Sequence, residues 1–192
     1  MATRSTTLFS LATLTAYCKT NGTSHDTIIT TIGDGVSEKI DAYCGRPFVT
    51  RAITEVVDAE GRSYVRTKAR PVQTVTEVKY RFSLSDAWTA VDESTEVTID
   101  TPGGRIFLNT LAFPAGPLTT SVTYTAGFGA QGAATLPAAV VAAGLDFVKF
   151  CYDRWKSDTV LVASTSWGGM SLVPSLPKDV RDALDLWVLR RL

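Results

Sequence analysis

The sequence is short of the residues on which most catalytic and metal sites depend. It has one histidine, His25, and three cysteines among 192 residues. No Cys-x-x-Cys pair occurs, so the usual spacing of zinc ligands is missing. The Gly-x-Ser-x-Gly motif of a nucleophile elbow is also missing. The sequence therefore predicts no catalytic residue, no cofactor site and no metal site, and we expect a protein that is not an enzyme.

An excess of charge and a long apolar run are absent as well. Lys plus Arg and Asp plus Glu each number 19, so no global charge attracts a polyanion or a membrane surface. No apolar run reaches the roughly 18 residues of a membrane span. Threonine and serine interrupt the apolar stretch near the N-terminus, which argues against a signal peptide. The dispersed Cys18, Cys44 and Cys151 each lie in a helical pattern, which predicts buried thiols in a reducing compartment.

Two features look like functional motifs when taken alone. His25 falls in the first turn of a predicted helix, where a positive charge opposes the helix dipole, so a neutral and exposed imidazole is expected. A hydrolase built around His25 is one alternative. Gly33-Asp34-Gly35 resembles a phosphate loop, but Glu38 replaces its third glycine and no strand precedes it. These glycines instead predict a kink or a close contact between helices.

Residues 1–47 have helical periodicity and predict a hairpin of two helices. Asn21-Gly22 separates the helices, with Thr23 or Ser24 as the expected cap of the second. Gly45 and Pro47 are expected to end the second helix. The apolar positions recur every three or four residues, at Leu8, Leu11, Leu14 and Cys18 and then at Ile28, Ile32, Val36 and Ile40.

Residues 48–128 change to the two-residue period of strands and are rich in β-branched side chains. Turn residues such as Glu60-Gly61 and Thr101-Pro102-Gly103-Gly104 separate the strand candidates. The strand candidates include 53–57, 72–78, 96–99, 105–108 and 121–124. They predict a small antiparallel sheet, sandwich or barrel.

Residues 129–192 are helical again, with helices expected after Pro137 and Pro177 and a loop at 157–175 between them. Each outer block has one apolar face that needs a cover, so the economical solution packs the two blocks together. The predicted fold class is α+β. The N-terminal helical hairpin and two C-terminal helices form a body into which a small antiparallel β domain is inserted.

Two stretches are candidates for contact with a partner. Arg62, Tyr64, Arg66, Lys68 and Arg70 alternate along the chain, so a strand would place them on one face. Such a face suits DNA phosphates or an acidic neighbour, and a solvated strand face is the alternative. Trp167, Met170 and Leu172 are large apolar residues in a predicted loop, where exposure indicates a partner surface.

Four segments in this order resemble the head-to-tail connector family of tailed phages, in its longer form with a β insertion. The segments are Ile40–Phe48 (I-x-x-Y-x-G-R-x-F), Arg70–Val75 (R-P-V-x-x-V), Val122–Phe128 followed by Pro137, Tyr152 and Arg154, and the final Leu176–Leu184 helix. The resemblance covers nearly the whole chain. The Thr-rich first helix and Gly33 and Gly35 depart from the family pattern.

The resemblance implies a structural virion protein that forms a ring, usually a dodecamer, between the portal protein and a stopper or tail-completion protein. Double-stranded DNA would pass through the lumen without specific binding during ejection. The protein would be made in the host cytoplasm and reside in the virion neck, without a membrane. Portal contact is expected from Trp167, Met170, Leu172, Leu184, Trp187 and Leu192. The lumen or a subunit seam is expected at Arg62, Arg66, Lys68 and Arg70.

Two further alternatives stay open. One is another neck or tail component, such as a stopper or a tail terminator, although such proteins are largely β. The other is a β-rich module that binds carbohydrate or peptide through the aromatic residues of the middle block, such as Trp88 and Phe82.

Overall fold

The computed structural model describes residues 7–20, 22–109, 112–157 and 174–189. The chain divides into two compact units. Residues 1–49 and 129–192 form one unit, here called the helical unit, and residues 50–128 form the other, here called the β unit. Helices and antiparallel sheets are both present, so the predicted α+β class is confirmed.

The described residues form five helices and seven strands. The helices are α1 (Leu11–Cys18), α2 (Asp26–Cys44), α3 (Glu93–Glu96), α4 (Ala138–Lys156) and α5 (Lys178–Leu184), which a 3₁₀ turn (Asp185–Trp187) follows. The strands are β1 (Arg51–Val57), β2 (Tyr64–Arg66), β3 (Val72–Tyr80), β4 (Thr89–Ala90), β5 (Val97–Asp100), β6 (Arg105–Leu108) and β7 (Thr120–Ala126).

The first helix is shorter than its apolar spacing predicts. Ser10 caps its N-terminus, since the Ser10 Oγ accepts a hydrogen bond from the Thr13 N–H at 3.2 Å. Leu8 is buried but precedes the helix, and Leu11 is exposed on the first turn. The expected four-residue apolar face is therefore wrong at its first half, and α1 buries Leu14 and Cys18.

The second helix has the predicted apolar stripe with one shift at its start. Ile29, not Ile28, is fully buried, together with Ile32, Val36 and Ile40. The predicted caps are wrong, because His25 is the N-cap residue and makes no capping hydrogen bond. Gly45 ends the helix as predicted, in the left-handed conformation with φ of 67°.

Glycines allow close approach in the helical unit. A Cβ at Gly33 would lie 2.8 Å from Leu14 Cδ1, so Gly33 marks the predicted close contact between α1 and α2. A Cβ at Gly144 in α4 would overlap the Phe9 ring and lie 3.0 Å from Ile40 Cδ1. A larger residue at Gly33 or Gly144 would therefore require the neighbouring side chains to shift.

The C-terminal helices complete the core of the helical unit. Helix α4 buries Val140, Phe147 and Val148 and packs against α1, α2 and α5. Helix α5 buries Val180 and Leu184. Helices from the N-terminal and C-terminal parts of the chain thus share the core of the helical unit.

The β unit consists of two antiparallel sheets that share one apolar core. One sheet has the order β1-β7-β3-β4, and the other has the order β2-β6-β5. Both sheets contribute to the core, which contains Val72, Val78, Ile106, Val122 and Tyr124. The β unit is therefore a sandwich, which is one of the three architectures that the strand pattern predicts.

Candidate interaction surfaces

The basic segment at 62–70 forms an alternating face, although most of it is not a strand. Strand β2 covers only Tyr64–Arg66, so the expectation of one continuous strand is wrong. Even so, burial alternates to the end of the segment, because Val65, Thr67 and Ala69 point inward. The predicted set Arg62, Tyr64, Arg66, Lys68 and Arg70 is more exposed and lies on the outer side.

Inward hydrogen bonds maintain this alternation after β2 ends. The Thr67 N–H donates to the Gly104 carbonyl at 2.9 Å, and the Thr67 Oγ1 lies 3.0 Å from the carbonyls of Gly104 and Ala69. The Ala69 N–H donates to the hydroxyl of the fully buried Tyr124 at 3.2 Å. The side chains between these anchors are therefore directed outward.

Glu55 ties the same segment to strand β1. Its Oε1 accepts a hydrogen bond from the Tyr124 hydroxyl at 2.5 Å and one from the Lys68 N–H at 2.9 Å. Burial, followed by the bond to Glu55, raises the pKa of Tyr124 well above its ordinary value. Tyr124 therefore stays protonated and serves as a donor at neutral pH.

Arg70 lies across the glycine turn that precedes β6. A Cβ at Gly104 would overlap the aliphatic stem of Arg70, and the Arg70 Nη1 lies 3.4 Å from the Gly103 carbonyl. Partial burial and then the charge of Arg66 lower the pKa of Arg70. Arg70 and Arg66 are thus close enough to repel each other.

Arg105 joins this face and was missed by sequence reasoning. It is the cross-strand partner of Arg66 on β6, and its guanidinium carbon lies 5.5 Å from the centre of the Tyr64 ring. The alternation of Arg105-Ile106-Phe107-Leu108 indicates that Arg105 points outward, since Ile106 and Leu108 are buried. The sequence does not reveal that β6 pairs with β2.

Two of the five cations on this face have acidic partners. Arg62 Nη2 lies 2.7 Å from Glu60, and Lys68 Nζ lies 4.0 Å from Glu55. In the part of the chain that the structure describes, Arg66, Arg70 and Arg105 form no ion pair. The face therefore has a local surplus of positive charge on a chain of zero net charge.

The residues expected to contact a portal differ in burial, and some of them lie outside the described residues. Trp167, Met170, Leu172 and Leu192 lie outside the described residues. Leu184 is fully buried in the helical unit, so its side chain is core and is not available to a partner in this conformation. Trp187 is half-buried and contacts Phe48 edge-on, with the ring centres 6.4 Å apart. Its neighbour Leu186, which the sequence did not single out, is 90% exposed.

A second exposed apolar patch lies on the β unit, in the loop between β3 and β4. Phe82, Leu84, Trp88 and the nearby Leu118 are all exposed. The Arg81 guanidinium orders them, because it donates to the carbonyls of Leu84 and Leu118 and lies 4.3 Å from the centre of the Trp88 ring. One face of the Trp88 ring is thus covered by a cation.

His25 is not the free surface residue that the sequence predicts. Its Nδ1 lies 2.5 Å from the hydroxyl of the buried Tyr152, and its ring packs edge-on against Trp155 at 5.4 Å. The reason is tertiary: the start of α2 meets the end of α4. Among the residues that the structure describes, His25 is hydrogen-bonded to the hydroxyl of Tyr152 and to no serine or cysteine.

The cysteines are buried, as predicted. Burial raises the pKa of Cys44 and of Cys151 to about 11, so both thiols stay protonated and unreactive at neutral pH. Among the described residues, no group of three or more His, Cys, Asp or Glu side chains is placed to hold a metal ion. The described helices include none that is long and apolar enough to cross a membrane.

Comparison with known proteins gives one family and one recurrent fold. A family model described as head completion protein matches residues 7–187. Among curated proteins, no sequence matches the chain. A chain in the neck of an empty GTA particle, computed with C6 symmetry, has 17% identity and a TM-score of 0.70 over 100% of this chain and 94% of that one.

Two further solved structures share the fold. A chain in the neck of a native GTA particle, computed with C12 symmetry, has 17% identity and a TM-score of 0.65 over 100% of this chain and 97% of that one. A chain in the virion of the native gene transfer agent (GTA) particle has the same identity and a TM-score of 0.68, over 100% of this chain and 94% of that one.

Proposed function

The chain belongs to the head completion protein family, and from that premise we propose that it is a structural subunit of the neck of a tailed-phage-like particle. The observation that carries the proposal is the family match over residues 7–187. The similarity of fold to neck chains over the whole length supports it. The role is that of an adaptor between the portal protein and a stopper or tail-completion protein, in the virion and not in a membrane.

The proposed form is a ring of identical subunits, with twelve copies as the expected number. The C6 and C12 symmetries of the particle necks that contain similar chains support a ring. A ring uses a heterologous interface, in which two different surfaces of one subunit meet. Exposed apolar side chains on both units, such as Phe82, Leu84 and Phe150, supply surfaces of the kind that such contacts bury.

The proposed portal contact lies at the C-terminal end of the helical unit. Leu186 and Trp187 lie in the 3₁₀ turn that follows the buried Leu184, so α5 fixes where this turn begins. Trp167, Met170, Leu172 and Leu192 are proposed to take part. DNA would pass through the lumen of the ring, and the protein would act by assembly and not by catalysis.

Immunogold labelling of purified particles tests this function. Antibody against the chain should label only the junction between capsid and tail. Particles that contain their portal but carry no label would contradict the proposal. Label along the tail or at its far end would instead favour a tail terminator or another tail component.

A point substitution tests the portal contact more cleanly than a truncation does. Removing the chain after Pro174 would also remove Val180 and Leu184 from the core. Leu186→Ser, at a side chain that is 90% exposed, should leave the fold intact and reduce incorporation into particles. Leu11→Ser, exposed on another helix of the same unit, is the matched control. Equal incorporation of both variants would exclude Leu186 from the contact.

A further inference from the structure

The outer face of β2 and β6 concentrates arginine side chains that the folded chain leaves without acidic partners. This arginine cluster consists of Arg66, Arg70 and Arg105, with Arg62 and Lys68 beside it. We propose that the arginine cluster is a binding site for the phosphodiester backbone of double-stranded DNA, which it contacts through phosphate oxygens without reading bases. The inference deepens the proposed function, because a neck subunit around DNA would meet phosphates.

The cluster is electrostatically unfavourable without a ligand. Arg66 and Arg105 are directly opposite on antiparallel strands, and like charges in that position destabilise a sheet. Asp100 is the cross-strand partner of Arg105 on its other side, but its carboxylate accepts the Gly103 N–H at 3.2 Å and forms no ion pair with Arg105. In the described part of the chain, the Nε atoms of Arg70 and Arg105 are buried and have no hydrogen-bond partner. An anion would relieve this repulsion.

The position of the cluster is fixed by the fold. Arg70 is held over Gly104 by the glycine turn, and Arg105 follows that turn directly. Arg66 is the last residue of β2, and the next residue, Thr67, is bonded to Gly104. Arginines at fixed backbone positions lose less entropy on binding than lysines on flexible segments do.

The chemistry of the face favours phosphate over an acidic protein partner. Guanidinium groups bind phosphate oxygens in pairs, and phosphate contacts require no apolar core. A protein–protein contact usually has such a core. The large exposed apolar side chains among the described residues lie outside segment 62–70 and outside β6. The zero net charge of the chain keeps the affinity low, which suits DNA that must slide.

Fluorescence anisotropy with the purified full chain and a labelled DNA duplex of about 20 base pairs tests the proposal over a series of NaCl concentrations. Each phosphate contact contributes about 0.9 to the slope of log K against log[salt]. Arg66→Gln/Arg105→Gln should therefore make this negative slope less steep by about 2. It should also weaken binding by about one order of magnitude or more at low salt. Arg66→Lys/Arg105→Lys, which retains the charge, should retain most of the slope.

The matched control is Arg154→Gln/Lys156→Gln, which removes the same charge from exposed positions in the helical unit. It should change the affinity less than about twofold, because its cations are outside the cluster. If both double variants lose the same affinity for DNA, the effect comes from net charge alone, and the proposed site is overturned. Absence of binding by the unchanged chain at low salt would overturn it as well.

Two competitors separate the possible sources of the anion. Poly-L-glutamate that displaces DNA at equal charge concentration would show that the face binds carboxylates, which overturns the preference for phosphate. Inorganic phosphate at millimolar concentration should displace DNA only weakly, because it offers one contact where DNA offers several. The proposed function has its own test in immunogold labelling, so either hypothesis can fail without the other.

Discussion

The helical unit and the β unit are held together by different kinds of contact. In the helical unit, apolar side chains pack closely where Gly33 on α2 meets Leu14 of α1 and where Gly144 on α4 meets Ile40 of α2. In the β unit, the apolar core surrounds a polar anchor in which Tyr124 bonds to Glu55 and Ala69. Packing that follows a helical period can be inferred from nearby residues, whereas the polar anchor joins residues up to 69 positions apart.

The largest expected effect tests packing in the helical unit. Phe147 is almost fully buried on α4, so Phe147→Ala should cost about 3–5 kcal/mol of stability through lost burial and a cavity. Phe150→Ala is the matched control, because Phe150 is on the same helix but is 50% exposed. Urea unfolding followed by far-UV circular dichroism measures both. Similar losses would show that α4 does not bury the face assigned to it.

A glycine in the β unit gives the next largest effect. Gly104 has φ of 62°, and a Cβ there would overlap the stem of Arg70 and approach Thr67. Gly104→Ala should cost about 1–2 kcal/mol for the left-handed conformation and about 1–3 kcal/mol for overpacking.

The control for Gly104→Ala separates these two causes. Gly132 has φ of 70° but nothing within 4 Å of the position of a Cβ, so Gly132→Ala should carry only the conformational cost. Thermal unfolding compares the two variants. If both variants lose the same stability, a Cβ at Gly104 does not clash with the stem of Arg70.

The two units differ in whether their contacts follow a local pattern, and this difference explains what the sequence could predict. The stripe from Ile32 to Ile40 follows from local periodicity and was predicted correctly, and the close contact at Gly33 is one of the two outcomes predicted for that glycine. The predicted N-cap of α2, Thr23 or Ser24, was wrong, because the N-cap residue is His25, which is hydrogen-bonded to Tyr152, 127 residues away. Local pattern contains no information about such a partner.

The candidate surfaces show the same limit. The outward alternation of Arg66, Lys68 and Arg70 was predicted, because a period of two is visible in the sequence. The contribution of Arg105 was not, since it depends on the pairing of β6 with β2. Leu184 was assigned to a surface because its helical spacing fits a docking face as well as a core, and only tertiary packing decides between them.

The polar anchor of the β unit predicts a smaller effect. Tyr124→Phe removes the hydroxyl that pairs with the Glu55 carboxylate and the Ala69 N–H, so it should cost about 1–3 kcal/mol at neutral pH. Tyr64→Phe is the control, because its hydroxyl has a weak, exposed contact with Arg62 at 3.3 Å. Equal losses in the two variants would mean that Tyr124 acts through its ring alone.

The same anchor predicts how stability depends on pH. The pKa of Tyr124 is raised in the folded chain, so above its ordinary value of 10.0 the unfolded chain loses this proton first. The stabilisation from Tyr124 is therefore complete below pH 10 and declines as the pH rises beyond it. The difference in unfolding free energy between the unchanged chain and Tyr124→Phe should narrow above pH 10. A constant difference up to pH 11 would contradict the shift.

The smallest effect is expected on the face that carries the arginine cluster. Arg62→Ala removes an exposed ion pair with Glu60, in which both side chains are more than half exposed. Solvent screens such exposed pairs and their contribution is small, so the melting temperature should stay close to that of the unchanged chain. Arg66→Ala, which removes one member of a like-charge pair with Arg105, should leave stability unchanged or raise it slightly in low salt. A clear loss of stability in Arg66→Ala would mean that Arg66 supports the fold, and the case for an anion at this face would lose its electrostatic basis.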